Sequence, residues 1–250
     1  MAFPPYTKTF HTSSYPEIDP SRSELSTAGK VVLITGGGSG IGPRIVHAFA
    51  RSGATKISIL GRTESSLLAT KKEVETAYPK AQIYTAVADI ADAAAVEKAF
   101  AETEKVLGKI DIFISNAAQL PDPGVIAKAD VENWFSGFVV NVKGTVILAQ
   151  AFLKHAAEHP TLVHVSTGAI HVPPMESRVS AYVTSKLAAQ STIDHFADEN
   201  PHVRVHSVHP GVIASGMNQK AAESGLVLPY DDSKSPYPPG RGSLLLTATS

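Results

Sequence analysis

The chain has no cysteine among its 250 residues. This absence excludes disulfide bonds, a thiolate nucleophile and a cysteine-ligated zinc site, and it fits an intracellular protein. An excess of charge of one sign is also lacking, because 22 basic side chains are balanced by 23 acidic ones and the net charge is −1. Without a basic surface, we expect no nucleic-acid partner.

The chain has ten histidines, a residue type that often binds metal ions. His202, Arg204 and His206 alternate with Val203 and Val205, which is the pattern of a strand's polar face. We therefore interpret these histidines as surface residues and expect no metal site.

Long apolar runs are also missing. The first thirty residues contain no apolar stretch of the ~7–15 residues found in a secretory signal. No run in the chain approaches the ~20 residues of a membrane span, so we expect a cytoplasmic location and no membrane partner. The Pro-rich residues 1–29 predict an N-terminal arm, which either packs over the domain or a neighbouring subunit, or is disordered.

Strand and helix patterns alternate from Lys30 onward. The predicted strands are Val31–Thr35, Lys56–Leu60, Gln82–Val87, Ile110–Ser115, Leu162–Ser166 and Val203–Val208. The predicted helices are Ile41–Arg51, Glu64–Ala77, Ala93–Leu107, Val131–Ala157 and Ala181–Asp198. This alternation with short connections predicts an α/β fold, in which residues 30–228 form one domain with a doubly wound, Rossmann-like parallel sheet.

A glycine-rich turn follows the first predicted strand, where residues 35–42 read TGGGSGIG. Gly36 allows a turn that other residues resist, and Gly40 and Gly42 let a phosphate and the sheet approach the backbone closely. Free N–H groups and the positive end of the next helix would face that phosphate. We predict a dinucleotide pyrophosphate site formed by Gly36, Ser39, Gly40, Ile41 and Gly42.

Tyr182 and Lys186 are four residues apart in a predicted helix and therefore share one helix face. A nearby ammonium favours the phenolate, so we expect Lys186 to lower the pKa of the Tyr182 phenol. The plainer alternative is a helix tyrosine whose hydroxyl lies in solvent.

The glycine spacing, together with Tyr182-x-x-x-Lys186, resembles the short-chain dehydrogenase/reductase family. Three further segments occur in the order expected of that family. They are Ser115-Asn116-Ala117-Ala118, Asn141-Val142-Lys143-Gly144, and His209-Pro210-Gly211 with Val212 and Ser215 after it. The chain departs from the family pattern at Ser115, Ala118 and Ser215, where Asn, Gly and Thr are usual.

The resemblance implies a place for each segment. Asn116 would lie beneath the adenosine half of the cofactor, and the pair Asp89-Ile90 would meet the adenine amino group. An equally simple role for Asp89 is an N-cap of the following helix. The segment with Pro210, Gly211, Val212 and Ser215 would flank the nicotinamide.

The resemblance also implies a mechanism. Tyr182 would exchange a proton with the substrate oxygen as a hydride moves to or from the nicotinamide, and Lys186 would hold the nicotinamide ribose. Asn141 would hold a water that returns the proton through Lys186. The hydroxyl that orients the substrate oxygen would come from Thr167, after a two-residue insertion in the following loop, or from Ser166 if the strand register shifts.

The end of the second predicted strand bears on the choice of cofactor. An acidic residue that would accept from a ribose 2′-OH is absent there, and Arg62 offers a planar fork suited to a 2′-phosphate. We therefore expect NADP in preference to NAD, with a solvated surface arginine as the alternative.

These features predict an oxidoreductase that transfers a hydride between NADP(H) and a small carbonyl or secondary-alcohol substrate. The alternatives are a catalytically silent dinucleotide-binding regulator or sensor, and a structural protein. We expect a homo-oligomer formed through the two long predicted helices.

The C-terminal region departs from the family pattern, in which a helix and a seventh strand follow the sixth strand. Here a Pro-rich segment leads to Arg241–Ser250. Either Leu244–Thr247 docks as a substitute edge strand, or residues 229–250 form a loose tail. We favour the loose tail, which would leave the sixth strand as an exposed edge and the protein less stable and less active.

Overall fold

The computed structural model describes residues 15–174, 178–223 and 247–249. The strands are β1 Val31–Thr35, β2 Lys56–Gly61, β3 Gln82–Val87, β4 Ile110–Ser115, β5 Ala156–Val165, β6 Arg204–His209 and β7 Thr247–Thr249. The helices are α1 Gly42–Arg51, α2 Glu64–Ala77, α3 Ala93–Leu107, α4 Val131–Phe138, α5 Gly144–His155, α6 Ser180–Glu199 and α7 Gly216–Glu223.

The predicted α/β, Rossmann-like sheet is confirmed. The strand order is β3-β2-β1-β4-β5-β6-β7, and the first six strands are parallel. The order reverses between β1 and β4, so the loops after these two strands diverge at the carboxyl edge of the sheet. Such a crevice is the usual ligand site of an open α/β sheet.

Helices cover both faces of the sheet, which is why β1 is buried along its whole length. One core cluster joins the sheet to α3, α5 and α6, with Phe100, Phe113 and Phe152 among its largest fully buried side chains. The other joins the sheet to α1 and α2, where Ile45 and Leu67 pack.

The prediction of one long helix over Val131–Ala157 is wrong at the C-terminal end. After α4, residues Val139–Lys143 form a π-helical segment that leads into α5, and α5 ends at His155. Ala156 then opens β5, whose pairing with β4 shifts register between Ile110 and Ile112. Pro160 lies in the shifted part of β5 and has no N–H to donate to the sheet, which fits the break in the pairing with β4.

By length and composition alone, the helical stretch Val131–His155 is apolar enough to cross a membrane, with a mean hydropathy of 1.4. Half of the apolar window is buried inside the domain. This is weak evidence for a membrane span, because the core helix of a compact α/β domain has the same length and composition.

The sixth strand has a partner in the C-terminal region. Thr247–Thr249 pairs antiparallel with β6, with Ala248 opposite Val208. The preference for a loose tail is therefore wrong at these three residues, which form an edge strand, and of the alternative strand Leu244–Thr247 only Thr247 lies within the described residues. Residues 224–246 lie outside the described part of the chain. Since β7 pairs with β6, an unpaired β6 edge is no longer a reason to expect a less stable protein.

The described part of the N-terminal arm packs against the domain. Asp19 forms a 2.8 Å ion pair with Arg51, and the Thr27 amide donates to the Ser52 carbonyl at 2.9 Å. Residues 15–29 thus lie over the C-terminal end of α1. This agrees with the alternative in which the arm packs over the domain.

Candidate active site

The glycine-rich turn leaves an open helix N-terminus at the carboxyl edge of the sheet. Gly36 and Gly40 have φ angles of 70° and 59°, in the left-handed region that favours glycine. A side chain at Gly42 would place its Cβ 1.9 Å from the Gly36 carbonyl oxygen, so only glycine fits. A Cβ at Gly40 would meet nothing within 4 Å, and Ser39 beside it is exposed. Ile41 occupies the N-cap position of α1. The turn therefore presents backbone N–H groups and a helix dipole to open space, as a pyrophosphate requires.

Asn116 ties the turn to the neighbouring strand. Its side-chain nitrogen donates to the Thr35 carbonyl at 2.8 Å, and the amides of Asn116 and Ala117 both donate to the Thr35 hydroxyl at 3.0 Å. A Cβ at Gly36 would lie 2.8 Å from the Asn116 amide nitrogen. The residues after β1 and β4 are thus fixed against each other, and Ser115 and Ala118 do not prevent this arrangement.

Arg62 and Asp89 lie together at the rim, after β2 and β3. Arg62 is 69% exposed, and its Nη1 lies 3.9 Å from Asp89 Oδ2. The other carboxylate oxygen of Asp89 accepts from the Ala91 amide at 2.9 Å. The alternative that Asp89 caps the next helix is wrong, because Asp92 accepts from the first amides of α3. One oxygen of Asp89 is thus free of backbone bonds and faces Arg62.

Ile90 has a packing role in the described structure. It is 5% exposed, and its side chain lies 3.0 Å from where a Cβ on Gly144 would be. Gly144 begins α5, so its missing side chain lets that helix approach Ile90.

Tyr182 and Lys186 lie on the first turns of α6, which packs against the sheet near the end of β5. The Lys186 ammonium is buried and donates to the Val165 carbonyl at 2.6 Å. Burial lowers the pKa of Lys186 from 10.5 to about 8. Burial also raises the pKa of Tyr182 to about 12. This direction is opposite to the expected lowering of the phenol pKa, and its cause is desolvation by burial.

Asn141 lies in the π-helical segment and is 2% exposed. Its side-chain nitrogen donates to the Gln119 carbonyl and to the Ser185 hydroxyl, both at 2.9 Å, and its oxygen accepts from the Gln119 amide at 2.8 Å. The side chain therefore joins the loop after β4 to α6, a role that the sequence did not indicate. Gln119 and Ser185 lie far from Asn141 along the chain, and no local motif marks them.

Ser166 and Thr167 follow β5 and differ in surroundings. The Ser166 hydroxyl is buried and has no hydrogen-bond partner among the described residues. Thr167 is less buried and accepts from the Ala169 amide at 3.3 Å, as N-cap of the 3-10 turn Gly168–His171. The Thr167 hydroxyl hydrogen is therefore still available to a ligand.

The segment after β6 leads into α7, a helix that the sequence patterns did not predict. Pro210 is followed by Gly211, whose φ is 83°, and Val212 continues the loop. Ser215 precedes α7, and its hydroxyl accepts from the Asn218 amide at 3.4 Å.

The helix α7 is held across the loop after β4. Lys220 donates to the Leu120 carbonyl at 3.1 Å and forms a 2.6 Å ion pair with Asp122. Met217 and Tyr182 pack against the cluster around Leu120. Because Met217 and Tyr182 contact the same cluster, α7 lies close to Tyr182. In this position it could cover a substrate bound at Tyr182.

A cavity of about 170 Å³ reaches Tyr182 from the loop after β4. Its lining includes Leu120, Trp134 and Arg178. The loop after β4 contributes most of this lining, and Arg178, Val179 and Ser180 contribute from the segment that leads into α6.

Known proteins are similar to this chain in sequence and in fold. The sequence model of the short chain dehydrogenase family matches residues 30–225. The short chain dehydrogenase pigC of Monascus ruber is 34% identical over 214 residues, which cover 82% of this chain and 69% of the relative. A short chain dehydrogenase/reductase of Claviceps purpurea is 33% identical over 240 residues, 94% of this chain and 79% of the relative.

Solved structures agree. A short-chain dehydrogenase/reductase from Serratia marcescens is 26% identical, with a TM-score of 0.70 over 76% of this chain and 77% of that one. A Shigella flexneri short chain dehydrogenase complexed with NADP shares the fold at 24% identity, with a TM-score of 0.74 over 81% and 85% of the two chains. With its sheet order, glycine turn and Tyr182–Lys186 pair, the chain belongs to the short-chain dehydrogenase/reductase family of oxidoreductases.

Proposed function

We propose that the protein transfers a hydride between NADP(H) and a small carbonyl or secondary-alcohol substrate. The observation that carries the proposal is the buried Lys186 ammonium, which donates to the Val165 carbonyl at the carboxyl end of β5, with the partly buried Tyr182 one helical turn before it on α6. Buried, strongly perturbed titratable groups in a cleft are typical of acid–base chemistry. The cavity that reaches Tyr182 supports a substrate site at the same place.

The proposed cofactor fits the residues present. The turn at Gly40 and the N-terminus of α1 would hold the pyrophosphate, and Asn116 would shape the floor of the adenosine site. When bound, the cofactor supplies or accepts the hydride at its nicotinamide ring. Pro210, Gly211, Val212 and Ser215 would flank that ring, by resemblance to the family.

Tyr182 is the proposed proton donor in the direction of reduction. Burial raises the pKa of its phenol to about 12, so the phenol keeps its proton at neutral pH and can give it to a carbonyl oxygen. Lys186 would hold the ribose and balance the phenolate that remains. We assign the orienting hydroxyl to Thr167, because its hydrogen is free to point at the substrate oxygen, with Ser166 as the alternative.

Arg62 is the proposed determinant of NADP over NAD. Its guanidinium is exposed at the end of β2, and its ion-pair partner within the described residues is the Asp89 carboxylate, 3.9 Å away. A 2′-phosphate is a stronger partner than a carboxylate at 3.9 Å, because two parallel hydrogen bonds become possible.

We expect Tyr182→Phe to lose NADPH-dependent carbonyl reduction while still binding NADPH. Removing one positioned proton donor costs ~10²–10⁴ in rate. The measurement is NADPH oxidation with a panel of ketones and aldehydes, combined with cofactor fluorescence. Tyr84→Phe is the matched control. Tyr84 lies on β3, away from the cleft, and its hydroxyl donates to Glu102 at 2.8 Å, so we expect this variant to be fully active.

Turnover by Tyr182→Phe at the wild-type rate would refute the role of Tyr182. Cofactor binding without any turnover by the wild type would favour the silent regulator.

For Arg62→Ala, we expect NADPH binding to weaken by ~10–100-fold, since a hydrogen bond to a charged group contributes ~1.5–3 kcal/mol. NADH binding should change little. Fluorescence titration with both cofactors measures the two affinities, and Lys72→Ala is the control for removing one exposed positive charge from the neighbouring helix α2. Equal losses for NADPH and NADH would rule out the phosphate contact.

We further propose a homo-oligomer that uses α4, α5 and α6. An apolar stripe runs along the exposed side of these helices. It consists of Val131 (63% exposed), Phe135 (53%), Val139 (47%), Val146 (40%), Leu153 (37%) and Leu187 (52%). Patches of this kind mark contact surfaces between proteins, and a copy of the same face is self-complementary about a two-fold axis.

Phe135→Asp tests this surface. Phe135 also packs on Trp134 and Phe138, with ring centroids 5.1 and 5.6 Å away, and it is 53% exposed. We expect the wild type to be at least a dimer by light scattering and Phe135→Asp to shift it towards the monomer. Leu68→Asp alters an equally exposed leucine on α2 and should leave the mass unchanged. A monomeric wild type at micromolar concentration would contradict the proposal.

A further inference from the structure

Arg178 has an unusual backbone conformation in the wall of the cavity that reaches Tyr182. Its φ angle is 51°, and it is the one residue other than glycine with a positive φ in the described part of the chain. Side chains with a Cβ are disfavoured in this left-handed region, which glycine adopts freely. The Gly124 amide donates to the Arg178 carbonyl at 2.7 Å, so the loop after β4 holds this strained backbone in place. A strained residue that is held in this way at a ligand cleft points to a function of its side chain.

The two carboxylates of the cavity wall already have partners. Asp122 and Asp130 line the cavity from the loop after β4 and from the start of α4. One oxygen of Asp122 forms the 2.6 Å ion pair with Lys220, and the other accepts from the Asn133 side chain at 3.0 Å. Asp130 caps α4 by accepting from the Asn133 amide at 2.7 Å. These two acidic side chains therefore hold the wall together.

The two cations of the same wall are available to a ligand. Lys128 and Arg178 line the cavity, and both are exposed. Within the described residues, neither side chain forms an ion pair or a hydrogen bond. Because the carboxylates are occupied, the charge that the wall offers to a ligand is positive. A guanidinium is a planar fork that binds a carboxylate through two parallel hydrogen bonds.

Much of the remaining wall is apolar, and the cavity is small. Leu120, Pro121 and Pro123 come from the loop after β4, and Trp134 comes from α4. The indole of Trp134 is held in place, because its Nε1 donates to the Ser180 hydroxyl at 3.2 Å. The volume of about 170 Å³ is close to that of a cavity that binds benzene, ~150 Å³. A molecule that fits here has a compact apolar body of about the size of one six-membered ring.

We propose that the substrate is a compact carbonyl compound that carries a carboxylate, and that Arg178 selects it. This inference rests on the proposed function. The carboxylate would bind the exposed guanidinium while the carbonyl oxygen lies at the Tyr182 hydroxyl, since both residues line one cavity. Lys128 adds a second positive charge to the same wall. In the oxidative direction, the substrate is the corresponding hydroxy acid. Arg178 determines specificity and exchanges no proton.

Paired substrates test the selection in catalysis. The 3- and 4-acetylbenzoates and their methyl esters share one ring and one ketone and differ in the negative charge. We expect the wild type to reduce a carboxylate with a kcat/KM about tenfold or more above that of its ester, mainly through a lower KM. Arg178→Met keeps an unbranched side chain without the charge and should bring the ratio of the two kcat/KM values close to one. A wild-type ratio near one, or a high ratio that Arg178→Met leaves unchanged, would overturn the inference.

Arg178→Gly separates the function of the side chain from folding. Glycine adopts a φ of 51° without strain, so we expect a melting temperature equal to or above that of the wild type, together with loss of the preference for the carboxylate. Lys109→Met is the matched control for removing an exposed positive charge. Lys109 directly precedes β4, at the opposite edge of the sheet from the loop after β4, so this variant should keep the wild-type ratio. The wild-type ratio in Arg178→Gly would refute the role of Arg178.

Binding can also be measured without turnover, because Trp134 is the one tryptophan of the chain and lies in the cavity wall. Its fluorescence in the full chain is followed during titration with benzoate and with the neutral benzamide. We expect benzoate to bind the wild type about tenfold or more tightly than benzamide, and Arg178→Met to lose this difference. Equal affinities of the wild type for the two probes would contradict the inference.

The two proposals can fail separately. If the wild type reduces neutral ketones with NADPH and shows no preference for a carboxylate in either measurement, the inference is wrong and the proposed function stands. If the wild type binds benzoate through Arg178 but reduces no carbonyl compound, the proposed function is wrong and the carboxylate preference of Arg178 stands.

Discussion

The burial of the Lys186 ammonium is the constraint on which the site depends. A pKa lowered from 10.5 to about 8 means that the surroundings disfavour the charged form by ~3 kcal/mol. The domain tolerates this because the Val165 carbonyl accepts one hydrogen bond and because the rest of the core is large. The same desolvation keeps the Tyr182 phenol protonated. A buried pair held in this state can pass a proton with little reorganisation, which is the preorganisation that acid–base catalysis requires.

Two distant parts of the chain complete the site by packing. The glycine turn after β1 and the carboxyl end of β5, to which Lys186 of α6 donates, lie at the same edge of the parallel sheet. Asn141 holds the loop after β4 against α6 through Ser185, and Lys220 holds α7 over the same loop. The loop after β4 and the helix α7 thus shape the pocket, while Tyr182 and Lys186 lie on α6 and Thr167 follows β5.

Local patterns predicted much of this arrangement. Strands such as β1, β3 and β4 have the predicted bounds, because each is a compact apolar or alternating run between turn residues. The glycine turn was also predictable, since left-handed backbone at Gly36 and Gly40 needs glycine. The end of α5 could not be predicted in this way. Ala156 and Ala157 favour helix, and they belong to a strand because β5 pairs with β4.

The remaining errors concern long-range effects. The direction of the Tyr182 pKa depends on burial by the whole fold, which residue spacing does not reveal. The hydrogen bonds of Asn141 to Gln119 and to Ser185 join residues far apart in sequence. The pairing of β7 with β6 likewise depends on a segment that Pro and Gly residues separate from the domain.

Ionisation of Tyr182 is the most direct test of the central claim that burial sets the protonation state of the pair. The measurement is tyrosinate absorbance against pH, as the difference between wild type and Tyr182→Phe, with and without NADP⁺. Burial predicts no ionisation of Tyr182 below about pH 11 in the protein alone, against an ordinary pKa of ~10. With NADP⁺, the positive nicotinamide ring should lower the midpoint by about one unit or more. A midpoint near 10 without cofactor, or one that NADP⁺ does not move, would contradict the account.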